Sequence, residues 1–469
     1  MRHCAVRSPA VAAMCLALGA CEAPERGMNS ADSSPPSNRA DELGKTAIPV
    51  SPKDGPLPLK VSWWGQACVS IETFWGLTIV IDPHPGQERI GFPPLDLTAD
   101  LVLVTHNHPD HAAVDAVGGD PKVLRGLTDD GDWFKIDHYL DRPPNQFEPA
   151  LMTQTEAQNL SSHAVHVRGV GVHHDAQGGN QRGRNTAFVI EVAGVRIAHC
   201  GDLGHVLTDE QVATIGPIDL LLVPVGGKFT VDAAAALEVT QQLRPRRWVW
   251  PIHYHAGVGQ LPLAPRDDFV TAAEQAGFPA RQVKGNAIAI TRSATEGSSP
   301  GVILSAYAPV ALRSDVSEAL AAMRGDRRAL VDDLGKVTKT QLDHKPSNGT
   351  HTIRWNFEHT TGRELGFFSQ VYHALDDEIP VINWNPPQMP PDYAAREPTW
   401  GTAEMVRHVR RVAAFTERFS YLLADTPADM RIEGTRFSVS SLSKLMVGHY
   451  HNHTTKAVLK FDLPDWPKP

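Results

Sequence analysis

The chain has 469 residues, with 44 Lys+Arg against 53 Asp+Glu and a formal net charge of −9. That length suits two to four domains at about 100–200 residues each, and a content of 42% hydrophobic and 21% charged residues is globular, which excludes global disorder. A mildly acidic chain with no basic run is a poor binder of nucleic acid or anionic lipid; collagen, coiled coil and multi-span membrane protein are excluded by pattern. The unusual number is 22 His, against 9 Met and 7 Tyr, and histidine at that density points toward metal.

Residues 1–21 read MRHCAVRSPAVAAMCLALGAC. Arg2 and Arg7 give a positive start, and the apolar stretch from Ala10 to Ala20 is far short of the ~20 residues a spanning helix needs. Its end, Leu18-Gly19-Ala20-Cys21, resembles a bacterial lipobox. The resemblance implies cleavage before Cys21 and lipid on its thiol, hence a protein anchored in the bacterial cell envelope and facing the periplasm. Residues 22–57 are rich in Ser, Pro and Asp and read as a disordered tether. Cys68 and Cys200 then remain, both in strand-like contexts and expected as buried free thiols. No C-x-x-C occurs, so thiolate metal sites are not expected.

From 58 to 291 short apolar strands alternate with loops and a few helices. The spacing predicts strands at 77–82, 101–105, 186–192, 195–199, 220–225 and 248–252, with Ala193-Gly194 turning a hairpin between two of them. Residues 292–311 read as a linker. From 312 to 469 the texture is helical: Val316, Leu320, Met323, Leu330 and Leu334 form one stripe. Met405, Val409, Val412, Phe419 and Leu423 form another, and Leu442, Leu445, His449 and His453 a last one. With a helix around 351–376, an antiparallel four-helix bundle is the simplest packing.

The most informative stretch is Leu101-Val-Leu-Val-Thr-His106-Asn-His108-Pro-Asp110-His111. An apolar run ends, and three imidazoles and a carboxylate follow within six residues. Alternation puts His106 and His108 on one side, with Asp110 and His111 in the next turn pointing elsewhere. Two adjacent, distinct ligand sets are what a dinuclear site requires.

On these residues the chain resembles the metallo-β-lactamase superfamily, nearest its UlaG-like branch. Trp64-Gly65-Gln66-Ala67-Cys68, Ile81-Asp82-Pro83, Val172-His173-His174-Asp175, His199-Cys200-Gly201-Asp202-Leu203-Gly204-His205 and Pro251-Ile252-His253-Tyr254 follow in the order of that branch. The resemblance spans roughly 58–291 and implies an αββα sandwich. It implies a first metal on His106, His108 and His174 (His173 being the alternative), a second on Asp110, His111 and His253, and Asp202 bridging them. The ligands suit zinc and also manganese or iron. Asp110 and His205 are candidates for catalytic roles; His199 and His205, flanking Asp202, are either orienters of the ligands or proton donors. Asp82 is expected to support the ligand loops from behind.

In the helical part, His449 and His453 lie four residues apart, and His359 follows Trp355 on an earlier helix. This pattern resembles the DinB/YfiT-like four-helix metal proteins over about 312–458, which implies a third divalent metal on His359, His449 and His453. His451, on another face, is expected to be exposed. The expected function is hydrolysis of a small ester, lactone, amide or phosphodiester by a metal-bridging hydroxide. The alternatives are thiol-transferase chemistry on the three-histidine domain, and a non-catalytic metal-binding lipoprotein. The partners implied are a small-molecule substrate and, through the lipid anchor alone, the membrane; nucleic acid is not expected, and homodimerisation stays open.

Overall fold

In the computed structural model, residues 58–74, 76–86, 90–141, 163–291, 300–385 and 393–468 are described. The signal peptide, lipobox and tether expected over residues 1–57 lie outside them.

Six strands form the first sheet, in the order β13-β1-β2-β3-β4-β5: β1 is Leu59–Trp63, β2 Val69–Glu72, β3 Thr78–Ile81, β4 Leu101–Val104, β5 Lys122–Arg125 and β13 Ala287–Ile290. The second sheet runs β12-β14-β11-β10-β9-β8-β7-β6. Its strands are β6 Asp137–Asp141, β7 His163–His173, β8 Arg184–Val192, β9 Val195–His199, β10 Leu220–Pro224, β11 Trp248–Ile252, β12 Ala280–Gln282 and β14 Gly301–Leu304. The strands nearest the site are the most apolar. β4 (LVLV) and β10 (LLLVP) are buried at every position, as expected of parallel strands covered on both faces. Each Val or Leu so buried adds about 1.5–3 kcal/mol. Ala193 and Gly194 both have positive φ, 52° and 75°, which suits a tight two-residue turn between β8 and β9.

Helices α1 (Asp209–Ile215) and α2 (Ala233–Leu243) pack on the outer face of the second sheet, against β7 and β10, with α3 (Asp267–Gln275) beside α2. The outer face of the first sheet is covered differently. Among the described residues, Cys68, Val80, Val102 and Val104 pack there against Leu95, Leu97, Val114 and Val117, in a loop whose helical content is the 3₁₀ turn Val114–Ala116. Cys68 and Cys200 are buried free thiols.

The linker expectation over 292–311 needs correction. Gly301–Leu304 is β14, hydrogen-bonded in parallel between β11 and β12. The sandwich therefore extends past 291, through an apolar run (GVIL) too short to stand out beside the Ser/Gly-rich residues before it.

The helical part comprises α4 (Ser314–Leu334), the short α5 (Lys339–Asp343), α6 (Ile353–Leu375), α7 (Thr402–Arg418) and α8 (Val439–Val458). Helices α4, α6, α7 and α8 close a ring of contacts, α4 on α8, α8 on α6, α6 on α7 and α7 on α4. The α4 stripe Val316, Leu320, Met323, Leu330 and Leu334 is buried as its spacing predicts. The α8 stripe is different: Leu442, Met446 and Tyr450 are buried, whereas Leu445 is 46% exposed. The inward line thus runs through 442, 446 and 450, and His449 and His453 sit half-buried beside it. Among the described residues no helix is long and apolar enough to cross a membrane.

The two parts are joined by ion pairs and hydrogen bonds. Arg247 pairs with Glu378, Arg281 with Asp376 at 3.5 Å and Arg418 with Glu72 at 3.6 Å; Lys284 Nζ donates to Leu422 O at 2.8 Å, and Thr291 Oγ1 to Glu378 at 3.2 Å. Register shows where most of these lie. Lys60 pairs with Glu72 at one end of β1–β2 and Trp63 with Val69 at the other, and Val69 pairs onward with Ile81. Glu72, Arg247 and Thr291 therefore mark the strand ends opposite those that lead into Asp82, Thr105 and His253.

Candidate metal centre

The ladder of β4 stops at Val104, and residues 105–111 turn back over the end of the sheet. One buried carboxylate organises that turn. Asp82 follows β3 with φ 48° and accepts from Thr105 N at 2.8 Å, from Thr105 Oγ1 at 2.7 Å and from His111 Nδ1 at 3.0 Å. A carboxylate that can only accept keeps a proton of His111 on Nδ1 and turns Nε2 toward the donor groups.

Two groups of donors converge there. In the first, His106 Nε2 lies 3.0 Å from His108 Nδ1 and 3.8 Å from Asp202 Oδ2, which is itself 3.1 Å from His174 Nε2. The second holds Asp110, His111 and His253, with His111 Nε2 3.7 Å from Asp110 Oδ2. Asp202 reaches both: Oδ1 is 3.3 Å from His111 Nε2, and Oδ2 is 3.2 Å from His253 Nε2. Ligand atoms within each group lie within 4.8 Å of one another. Of the adjacent pair, His174 joins the first group; His173 instead packs its ring on Trp133 and His205.

The donors fit divalent cations. His111 Nε2 and Asp202 Oδ1 are buried, face each other at 3.3 Å and complete no well-formed hydrogen bond, a costly state that a bound cation relieves. The donor set is imidazole nitrogen and carboxylate oxygen without thiolate, which suits zinc, manganese or iron. Burial and the neighbouring rings push His106 and His108 below the usual imidazole range, so both keep a lone pair at neutral pH. Burial works against charge on His111, but the carboxylates of Asp202 and Asp110 outweigh it and hold that ring above its usual range. Burial likewise opposes charge on Asp202, and His111 and His253 hold its carboxyl well below the usual range. His108 is exposed and Asp110 half-buried, so the centre opens to solvent on that side.

The two flanking histidines are both held by backbone hydrogen bonds. His205 Nδ1 faces the carbonyl of Val206 at 2.8 Å and must donate, while Nε2 accepts from His173 N at 3.1 Å. With both nitrogens hydrogen-bonded to backbone, His205 holds the end of β7 beside His174, an arrangement that suits the orienting role rather than the proton-donating one. His199 likewise donates from Nε2 to Ala67 O at 2.8 Å and accepts from Gly201 N at 3.2 Å. Asp175 closes the third-ligand loop. Burial works against its charge, yet backbone N–H groups of Gln177, Gly179, Gln181 and Arg182 hold its pKa at about 2.

A second cluster lies in the bundle. His359 of α6 meets His449 and His453 of α8, with ring centroids 4.7 Å and 4.9 Å away. His453 Nδ1 donates to Asn356 Oδ1 at 3.1 Å, and His359 Nδ1 and His449 Nε2 are buried without partners. Burial, then the charges of neighbouring groups, lowers His359 to about 2, His453 to about 3 and His449 to about 4. Three neutral imidazoles with converging nitrogens form a facial set for one divalent cation. Trp355 is stacked between His351 and His359, at centroid distances of 3.6 Å and 4.3 Å. His451 is exposed, 3.6 Å from Asp326.

A two-sheet sandwich that gathers five histidines and two aspartates on its strand-end loops defines the metallo-β-lactamase class of protein. Residues 60–253 match the Beta-lactamase superfamily domain and residues 319–455 the DinB superfamily. A UPF0173 metal-dependent hydrolase of Thermococcus onnurineus is 32% identical over 206 residues, 42% of this chain and 85% of that protein. Another from Carboxydothermus hydrogenoformans is 28% identical over 216 residues, with the same shares covered. A Thermotoga maritima structure, assigned to the Zn-dependent hydrolases of the superfamily, is 29% identical with a TM-score of 0.36, covering 53% of this chain and 98% of that one. The chain belongs to the UPF0173 metal-dependent hydrolases of the metallo-β-lactamase superfamily, fused to a DinB-like helical domain.

Several supporting residues were not singled out by sequence. Thr105 bridges Asp82 to the ligand loop, Asn185 Nδ2 donates to Cys200 O at 2.8 Å beside Asp202, and Asn356 orients His453. Asn356 precedes His359 by three residues on one helix, which was a usable signal. Thr105 and Asn185 acquire their roles from pairings across the sheets, which spacing does not encode.

Proposed function

We propose that the sandwich domain hydrolyses a small ester, lactone, amide or phosphodiester with water activated between two divalent cations. The observation that carries this reading is the position of Asp202, whose two oxygens face both donor groups at 3.1–3.3 Å. His106, His108 and His174 would hold one cation, Asp110, His111 and His253 the other, with Asp202 shared. Such a pair supplies Lewis acidity and lowers the pKa of a bound water from about 15.7 toward ~7. The chain's own part is positional. Asp82 fixes the His111 tautomer, His205 and Asp175 fix the loop bearing His174, and the side of His108 and Asp110 stays open for substrate.

The helical domain supports a second reading, thiol-transfer chemistry at a single cation on His359, His449 and His453. Its surroundings favour an anionic ligand: Arg363 lies one turn beyond His359 on α6, and it and Arg436 both approach the Phe367 ring, at 5.7 Å and 6.0 Å. A thiolate fits such a field. A lipid anchor at Cys21 facing the periplasm belongs to the same proposal, and a Cys21→Ala protein recovered from membranes would overturn it.

Metal analysis of the protein beside Asp110→Ala/His111→Ala and His449→Ala/His453→Ala variants tests both readings. About three cations per chain, each loss confined to the mutated domain, is the expected result. Ester, lactone and phosphodiester turnover should vanish only in the Asp110/His111 variant. Turnover lost only with His449/His453 would shift the chemistry to the bundle, and no bound metal would leave a non-catalytic lipoprotein.

A further inference from the structure

Gln66 lies in the turn between β1 and β2, far in sequence from every ligand, yet its side chain is 1% exposed and aimed into the second donor group. Its Nε2 lies 2.8 Å from Asp110 Oδ2 and 2.9 Å from His253 Nε2. An amide nitrogen can only donate, so as placed its hydrogens face Asp110 Oδ2 and His253 Nε2, the atoms that a cation would take.

The root of this side chain is held. Gln66 has φ 49°, and its carbonyl accepts from Trp63 Nε1 at 2.9 Å and from His253 N at 2.8 Å. A Cβ on the preceding Gly65, with φ 100°, would fall 2.3 Å from the Phe92 ring. The carboxamide therefore cannot leave by a shift of its own backbone.

Ligand atoms on one cation, each about 2.1 Å from it, lie about 3.0–3.4 Å apart. The end of Gln66 stands near that spacing from two members of the group. An N–H₂ group repels a cation, but a half-turn about the last side-chain bond exchanges nitrogen for oxygen with almost no change of shape.

We propose that Gln66 is a further ligand of the second cation: in the metal-free protein its N–H₂ bridges Asp110 and His253, and on loading it turns its Oε1 toward the metal. This rests on the two-cation reading above. The second position then carries one ligand more than the first, so the two cations differ in affinity and are loaded in order.

The test measures cations per chain and their affinities in competition with a chelator, on the full-length protein, using zinc and manganese as probes. Gln66→Leu should weaken the second cation roughly 10–100-fold and leave the first unchanged, whereas Gln66→Glu should hold the second more tightly. A Gln66→Leu protein that binds the second cation as well as wild type, or better, overturns the ligand role. A wild-type sandwich that holds one cation, insensitive to Asp110→Ala, overturns the two-cation reading and this inference together. Because a buried substitution can impair folding, the Gln66 carboxamide is also followed by ¹⁵N NMR in the wild-type protein. Its N–H₂ signals should shift as the Asp110–His111–His253 position fills with zinc, and signals unmoved at saturation would refute the turn of the amide.

Discussion

His111 donates from Nδ1 to Asp82 Oδ2 at 3.0 Å, and neither side chain is exposed to solvent. Asp82 lies close enough to His106 and His111 to form a candidate ion group with them, but its carboxylate hydrogen-bonds Thr105 and His111 Nδ1, and in the two-cation reading it holds a ligand rather than being one. Asp82→Asn should therefore weaken metal binding without removing a ligand, by about 10–100-fold. Asn tolerates positive φ, so the backbone at 82 is kept. The cation grouped with His111 should leave first in a chelator titration. Unchanged release of both cations would show that the tautomer of His111 is set elsewhere.

Glu364 of α6 is fully buried and accepts from Arg327, from Tyr450 OH at 2.7 Å and from Thr416 Oγ1 at 2.6 Å. Glu364→Ala leaves a buried guanidinium with only the exposed Glu417, at 3.7 Å, as counter-charge. Breaking such a pair costs about 3–5 kcal/mol, so the bundle should unfold at markedly lower urea, and the three-histidine site should be lost with it. The sandwich centre shares none of these residues and should keep its cations. Equal stability of the variant would place the Arg327 charge in contact with water.

The sandwich and its centre were legible because their signals are local and dense. His106, His108, Asp110 and His111 fall within six residues, and β4 before them is apolar throughout. His253 and Asp202 become readable once strand ends are known, because loops at one end of a sandwich face each other. What sequence left out depends on contacts across elements. β14 hides in a four-residue run beside a Ser/Gly-rich stretch, and Gln66 enters the site from 44 residues before Asp110. Leu445 illustrates the opposite error. A three-residue step from Leu442 fits a helical face, yet the neighbours α4 and α6 bury the face through Met446 and Tyr450.

At the junction of the two parts, burial raises Asp376 to about 6, despite Arg281 at 3.5 Å. A carboxyl with a folded pKa above its unfolded value of about 3.9 binds its proton more tightly in the folded protein. Its stabilising contribution is complete below about pH 4 and is lost as pH rises through about 6. At neutral pH the ionised form then costs about 3 kcal/mol. Asp376→Asn should raise the melting temperature at pH 7.5, with the gain fading toward pH 4. A gain independent of pH would assign the effect to packing instead.

Gly204 marks where the Asp202 loop crosses the His174 loop. Its N–H donates to His173 O at 2.9 Å, and a Cβ there would lie 2.2 Å from Asp175 N and 2.3 Å from His174 C. These are backbone atoms of the segment that carries a ligand, so no side-chain rotation relieves the clash. Gly204→Ala should push His174 away from Asp202 and weaken the cation grouped with His106 and His108, although every ligand is retained. The cation grouped with His111 and His253 should be affected less. Paired chelator titrations of Gly204→Ala and Asp82→Asn thus address the two positions separately. Loss from the same position in both variants would contradict the division of ligands into two groups.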